Sequence, residues 1–268
     1  MKHLCFHYHM QIYFDIPVKD HHFTLKCLPK DSRRQQIEKL HYEVFPNRFI
    51  SRSGDSFGNE CIYGVYEDPH KEFLIDVKGE ALCGLKEYET EGNRTDANFF
   101  KYQTAHIVPG ANIEKYHDER IRRFEGSQDR VREKAEFYMK CLHEDYEYKS
   151  GSTRIATTAE EAFSQGCGVC QDFAHIFLSL LRMEKIPCRY VTGMLLGEGL
   201  SHAWIEYFSD GLWIALDPTN EKVISDEHIK IASGRDYSDC RINQGVFMGC
   251  DREAKQDQQI CVSVEECV

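Results

Sequence analysis

The sequence predicts an α+β protein, with an N-terminal antiparallel β-rich part and then a cysteine-bearing helix packed on an antiparallel sheet. Three observations carry this reading. Leu4, Phe6, Tyr8, Met10, Ile12 and Phe14 alternate over eleven residues, the period of a half-buried strand. Phe173, Ile176, Phe177, Leu180 and Leu181 recur at helical spacing behind Cys170, an apolar stripe that must be covered. Three strand-like runs then follow, 188–196, 203–208 and 212–216, with Ser209-Asp210-Gly211 as a hairpin turn between the last two.

The remaining elements follow in order. Phe23 to Leu28 reads as a strand ending at Pro29, and Leu40, Tyr42 and Val44 alternate up to Pro46. Asp55-Ser56-Phe57-Gly58-Asn59 is a turn cluster before strand runs at 62–66 and 73–77. The charged, glycine-bearing stretch 87–96 reads as a linker or long loop. A helix runs from about Arg130 to Tyr146, with Val131, Ala135, Tyr138, Met139 and Leu142 on one side, and 148–153 is loop. Thr158 followed three residues later by Glu161 predicts a capping box. The central helix covers 169–185 and stops at Ile186-Pro187, because proline cannot continue a helix interior. Ile260, Val262 and Val264 mark a last strand. The expected division is a β-rich domain over 1–105 and a catalytic domain over 106–268.

Composition narrows the class. A formal net charge of −11 argues against a nucleic-acid binder, which needs Lys and Arg to neutralise phosphate. No segment approaches the ~18–20 apolar residues needed to cross a bilayer, so no membrane partner is expected. The start, 1–8, lacks the apolar run of a signal peptide. The expectation is a cytoplasmic protein with reduced thiols. Its twelve cysteines show no framework spacing and read mostly as small buried apolar side chains rather than as a disulfide scaffold.

The chemistry concentrates in three places. Gly166-Cys167-Gly168-Val169-Cys170-Gln171-Asp172 puts Cys170 in the first turn of a helix, where free N–H groups and the dipole favour a thiolate. Ser201-His202-Ala203-Trp204 opens a strand and offers an imidazole base. Leu216-Asp217-Pro218-Thr219-Asn220 ends the hairpin and offers a carboxylate to orient it. If 203–208 and 212–216 pair, His202 and Asp217 sit at the same end of adjacent strands. The backbone N–H of Cys170 is a natural oxyanion donor; Gln165 and Gln171 are candidates for the second.

These three blocks resemble the signatures of the transglutaminase-like superfamily. The turn at 55–59 and the tail from His228 to Tyr237 resemble, more narrowly, bacterial transglutaminase-like cysteine proteases with an N-terminal β-domain. The resemblance implies a papain-like core with Cys170 as nucleophile, His202 as base and Asp217 as third member. It also implies that Asp236 and Tyr237 line the cleft. Trp204 is a further cleft candidate through its place beside His202, although its bulk, like that of Trp213, suits the core.

Other readings compete. Cys167 and Cys170 form a C-x-x-C pair, yet no second half for zinc and no thioredoxin-like βαβ setting accompanies them. His3, Cys5, His7 and His9 share one face of a strand, a row read as an exposed polar face. Asp172 lies too near Cys170 to orient a base and is expected to pair, with Arg235 as the suggested partner. The expected activity is thiol-dependent amide hydrolysis on a peptide, protein or small amide, with no metal and no organic cofactor. Acyl transfer to an amine, or a peptide-binding module without catalysis, are the alternatives. Residues 84–126 and 197–201, the expected specificity loops, carry no readable code.

Overall fold

The structure, a computed structural model, describes residues 1–86, 97–125 and 130–267. The chain is mixed α/β with mostly antiparallel sheets. Its first part contributes β1 (Lys2–Leu25), β2 (Gln35–Phe45), β3 (Phe49–Gly54), β4 (Glu60–Tyr66) and β5 (His70–Cys83). Helices α1 (Ala111–Ile121), α2 (Val131–Asp145), α3 (Ala159–Gln165) and α4 (Cys170–Met183) follow, with the short parallel pair β6 (Glu147–Tyr148) and β7 (Cys167–Gly168) set between them. Then come β8 (Cys188–Leu195), β9 (Gly197–Gly199), β10 (His202–Ser209), β11 (Leu212–Asp217), β12 (Lys222–Val223), β13 (His228–Gly234), β14 (Asn243–Gly249) and β15 (Gln256–Glu266).

β1 organises the first sheet. It is one continuous strand of 24 residues where the sequence suggested two. Its inward positions are even-numbered from Leu4 to Phe14, then odd-numbered at His21, Phe23 and Leu25. The change of parity falls at Asp20, whose φ of 50° accompanies a register shift between Lys19 and His22. A bulge of this kind swaps the faces of everything beyond it. Pro17 is tolerated because it sits where pairing with β5 is already interrupted, between Tyr13 and Val18. The first half of β1 lies between β5 and β15, and the second half pairs with β4 and β14. Strands from both ends of the chain therefore share one sheet. The residues 197–199, expected as a loop, pair with β15 as β9.

The second sheet has the order β12-β11-β10-β8-β13. α4 crosses β10 and β8, with α2 and α3 packed beside it. Its apolar stripe is fully buried, and the helix ends at Met183, followed by Lys185 with a φ of 59° just before Ile186-Pro187. Thr158 and Glu161 form the anticipated capping box on α3. α1 was not anticipated: only Ile113 and Tyr116 are buried on it, so its period is faint. Glu160 holds its start by accepting the N–H groups of Gly110, Asn112 and Ile113 at 3.0–3.1 Å. The linker expected at 87–96 lies outside the described residues.

One buried apolar core runs through both sheets, from Leu4 on β1 to Phe173 on α4 and Ala232 on β13. Polar pins add direction. Asp55 accepts the N–H groups of Phe57 and Asn59 and shapes their turn. The Asn59 amide then brackets Ser233 of β13, donating to its carbonyl at 2.9 Å and accepting its N–H at 2.8 Å. Arg182 of α4 is 1% exposed and donates to the carbonyls of Tyr102, Cys188 and Arg235. Six of the free cysteines, 27, 61, 83, 141, 188 and 240, are buried as expected of apolar side chains. Cys5 and Cys267 differ: they form a disulfide between β1 and the residue that follows β15. Their spacing of 262 positions gave no sign of it, because strand pairing, not sequence distance, brings them together. Among the described residues no helix is long and apolar enough to cross a membrane.

Replacing Asn59 by alanine leaves a buried N–H and a buried carbonyl of Ser233 without partners. The expected loss is about 2–3 kcal/mol of unfolding free energy, read from urea denaturation.

Candidate active site

Cys170 is the first residue of α4, preceded by Val169 in an extended conformation. The N–H groups of Cys170 and Gln171 have no acceptor within the helix, as at any helix start. Asp172 completes the turn. It is 1% exposed and takes the N–H of Val169 at 2.8 Å and the hydroxyl of Thr153 at 2.6 Å. Burial lifts its carboxyl above the usual range, against the pull of those two hydrogen bonds. The suggested partner Arg235 instead forms a bidentate pair with Asp239 at 2.8 and 2.9 Å, so Asp172 is a helix cap rather than half of an ion pair. Gly168 is needed beside it: a Cβ there would meet the Tyr146 hydroxyl at 2.4 Å and Asp172 Oδ2 at 2.6 Å.

His202 and Asp217 meet across the β10–β11 hairpin. Their register runs from Ser209 opposite Leu212 to Ile205 opposite Leu216. One step further sets Asp217 opposite Trp204. His202, two residues before Trp204, shares its face and is the diagonal neighbour of Asp217. Such neighbours are ~7–8 Å apart at the backbone, a gap that these two side chains span. His202 Nε2 lies 2.7 Å from Asp217 Oδ2. The turn Asp210-Gly211, with φ values of 53° and 83°, sets this register through a primed hairpin geometry.

Asp217 is fully buried and fully partnered. Oδ1 accepts the N–H groups of Thr219 and Asn220 at 3.0 and 3.2 Å. Oδ2 accepts the Asn220 amide at 2.7 Å as well as His202, and His228 Nε2 lies 3.5 Å away. Burial alone would raise this carboxyl. The hydrogen bonds from His202 and Asn220, with His228 close by, outweigh it and hold Asp217 well below the usual carboxylate range. Burial likewise disfavours the His202 imidazolium, but hydrogen bonds to Asp217 and to Cys170, with the charges behind them, push it up to about 10. With Nε2 given to Asp217, the other ring nitrogen is left for the Cys170 sulfur. His228 is pushed the other way, down, mainly by burial.

The other anticipated residues are placed as follows. Gln165 is exposed at the end of α3, with Gly166 and β7 between it and Cys170. Gln171 donates from its side chain to the Ile155 carbonyl at 3.2 Å. Trp204 is 1% exposed and packs with Val191, Ala215 and Ile224, while Trp213 packs with Ala97 and Phe208. Asp236 is buried, accepting the Ser238 N–H and the Thr104 hydroxyl. Tyr237 is half-buried and donates its N–H to Nε2 of the buried His175 at 3.2 Å. Cys167 and Cys170 are both free thiols.

Three contributors escaped sequence reading. Asn220 was foreshadowed by Asp-Pro-Thr-Asn, since an aspartate two or three residues before free N–H groups makes an Asx turn. His228 was marked only as the start of the family-like tail and Thr153 not at all; both reach the site only through folding.

Comparison with known proteins places these residues in a wider group. Residues 118–218 match the transglutaminase-like superfamily and residues 4–81 the bacterial transglutaminase-like N-terminal region. A solved structure of a proposed cysteine protease from Cytophaga hutchinsonii shares the fold, with a TM-score of 0.76 and 21% identity over 100% of this chain and 92% of that one. An uncharacterised protein of Mycobacterium leprae is 41% identical over 113 residues, 38% of this chain and 40% of the relative. An uncharacterised protein of Mycobacterium tuberculosis is 32% identical over 122 residues, 40% of this chain and 39% of the relative. The chain thus matches about two fifths of the length of these curated relatives. With a cysteine at the start of its central helix, a histidine–aspartate pair on the adjoining hairpin and both regions in sequence, the chain is similar to the transglutaminase-like superfamily over residues 118–218 and to the bacterial transglutaminase-like N-terminal region over residues 4–81.

Proposed function

We propose that this chain is a thiol-dependent amide hydrolase in which Cys170, His202 and Asp217 act as nucleophile, base and orienting carboxylate. One observation carries the reading: His202 Nε2 lies 2.7 Å from Asp217 Oδ2, and Cys170 at the start of α4 is among the groups that raise the His202 imidazole. A raised imidazole beside the sulfur favours a thiolate–imidazolium pair, the form of cysteine that attacks carbonyls.

The steps balance as follows. The Cys170 thiolate adds to the amide carbon, and the carbonyl electron pair moves to oxygen, facing the N–H of Cys170. The C–N bond breaks as the His202 imidazolium gives its proton to the leaving nitrogen, releasing an amine and leaving a thioester. His202, now neutral, takes a proton from water as its oxygen adds to the thioester carbon. The C–S bond then breaks, releasing a carboxylic acid and restoring the ion pair. An amine in place of water would give acyl transfer by the same route, and this second reading is supported by the match of residues 118–218 to the transglutaminase-like superfamily.

The test incubates the protein with peptide amides and with glutamine-bearing protein, with and without a primary amine, and weighs the products. Hydrolysis adds water to the acyl fragment, whereas transfer adds the amine. Cys170→Ala is expected to abolish turnover. His202→Ala is expected to lower kcat by on the order of 10²–10⁴-fold. Turnover surviving in Cys170→Ala would overturn the assignment.

Thiol reactivity gives a substrate-free measurement. Iodoacetamide is expected to alkylate Cys170 faster than the exposed free thiols Cys250 and Cys261 at the same pH. His202→Ala is expected to remove that reactivity, read by mass spectrometry of the labelled peptide.

The His202–Asp217 pair also makes stability depend on pH. Folded His202 holds its proton to about 10, while the unfolded imidazole loses it near ~6.5. Its stabilisation is therefore complete below about pH 6.5 and is lost as pH rises toward 10. The Asp217 contribution has the opposite sense, present above about pH 3.9 and lost as pH falls further. Denaturant midpoints of the wild type and His202→Gln are expected to converge between pH 6 and pH 10.

A further inference from the structure

The outer face of the first sheet carries a second group of convergent side chains, far in sequence from Cys170 and made by different strands. Period two on β1 sends His7 and His9 to the same face. β5 runs antiparallel beside it with Asp76 directly opposite His9. Both rings aim a nitrogen at one oxygen: His7 Nε2 is 2.7 Å and His9 Nδ1 2.9 Å from Asp76 Oδ2. All three donor atoms lie within 4.8 Å of one another.

We propose that His7, His9 and Asp76 form a binding site for a divalent transition-metal ion of borderline softness, Zn²⁺ being the type case, with solvent in the fourth position. The donor set is the one such ions prefer, two imidazoles and a carboxylate. Bonds of ~2.0–2.1 Å in a tetrahedron set neighbouring donors ~3.3 Å apart. The two N···O distances must therefore open by only about half an ångström, a side-chain rotation within reach of rings that rest on a fixed backbone. The two imidazoles are held by adjacent outward positions of a strand paired on both sides, so the backbone does not have to be ordered by the ion.

Access and charge agree with this. The side chains are 38%, 31% and 20% exposed, which leaves an entry path from solvent. His7, His9 and Lys78 all converge on the Asp76 carboxylate. Lys78 competes, with Nζ 3.0 Å from Asp76. It holds Oδ1, however, and leaves Oδ2 to the histidines. Lys78 is 57% exposed and free to swing into solvent when the ion adds its own charge. The bound ion would clamp β1 to β5, the central pairing of the sheet. Nothing in the site depends on Cys170 chemistry.

The experiment strips the full chain of metal with a chelator and titrates it with ZnCl₂ by calorimetry, following the unfolding temperature in parallel. The wild type is expected to bind one ion at this site and to gain unfolding temperature with it. His7→Ala with His9→Ala, and separately Asp76→Asn, are expected to weaken that binding at least about ten-fold, since even outer partners of a metal ligand cost 10–100-fold. Both variants change partly exposed residues, and circular dichroism before zinc addition checks that they fold. The donors of His202, Asp217 and His228 also cluster, so a His202→Ala protein is titrated alongside and is expected to keep the site. Zinc binding of unchanged affinity and stoichiometry in the two β1–β5 variants, or no binding by the wild type, overturns the proposal.

Discussion

A carboxylate with no access to water must be given hydrogen bonds by the protein itself, and Asp217 imposes this condition on the catalytic half of the molecule. Two backbone N–H groups, the Asn220 amide and His202 all bond to it. Satisfying them requires the turn 217–220 to fold back over the carboxylate. It also requires the β10–β11 register to bring His202 alongside. The last neighbour, His228, comes from β13 at the far edge of the same sheet. A structure that meets these demands has already positioned the imidazole. Stability of the buried acid and orientation of the imidazole are the same set of contacts.

The cysteine is placed by a separate but similar device. Asp172 caps the start of α4 and ties it to Thr153, while Gly168 lets the chain pass close to Tyr146. α4 is itself pinned by Arg182 to carbonyls of the loop at Tyr102, of β8 and of the segment after β13. The helix start and the hairpin end are thus held by separate sets of contacts, and α4 packs directly on β10, the strand that His202 opens. β1 supports both indirectly. Its sheet shares one apolar core with the second sheet, and the turn at 55–59 bonds to Ser233 across the join.

Much of this was legible in local sequence because the relevant physics is local. Alternation along 4–14 follows from the strand period and the need to bury one face. The Thr158–Glu161 box and the Asp210-Gly211 turn follow from backbone geometry within four residues. The strand and helix limits around Cys170, His202 and Asp217 were readable for the same reason. The failures have an equally physical cause. α1 depends on Glu160, some fifty positions away, to satisfy its first N–H groups. The break in β1 parity at Asp20 depends on different partners taking over its two halves. Asp172 found Thr153 and a backbone N–H nearer than Arg235, and Arg235 found Asp239.

By itself the sequence determined the α+β class, the order of the chemical residues and the elements that carry them. Periodicity, capping and turn geometry act over a few residues and leave their mark in residue order. Only the tertiary structure decided that both ends of the chain close one sheet, that Cys5 meets Cys267, and that His228 stands beside Asp217. It also decided that His7 and His9 face one carboxylate rather than open solvent. Those facts depend on which strands pair, and pairing is settled by burying a common core. No short stretch of sequence contains that information.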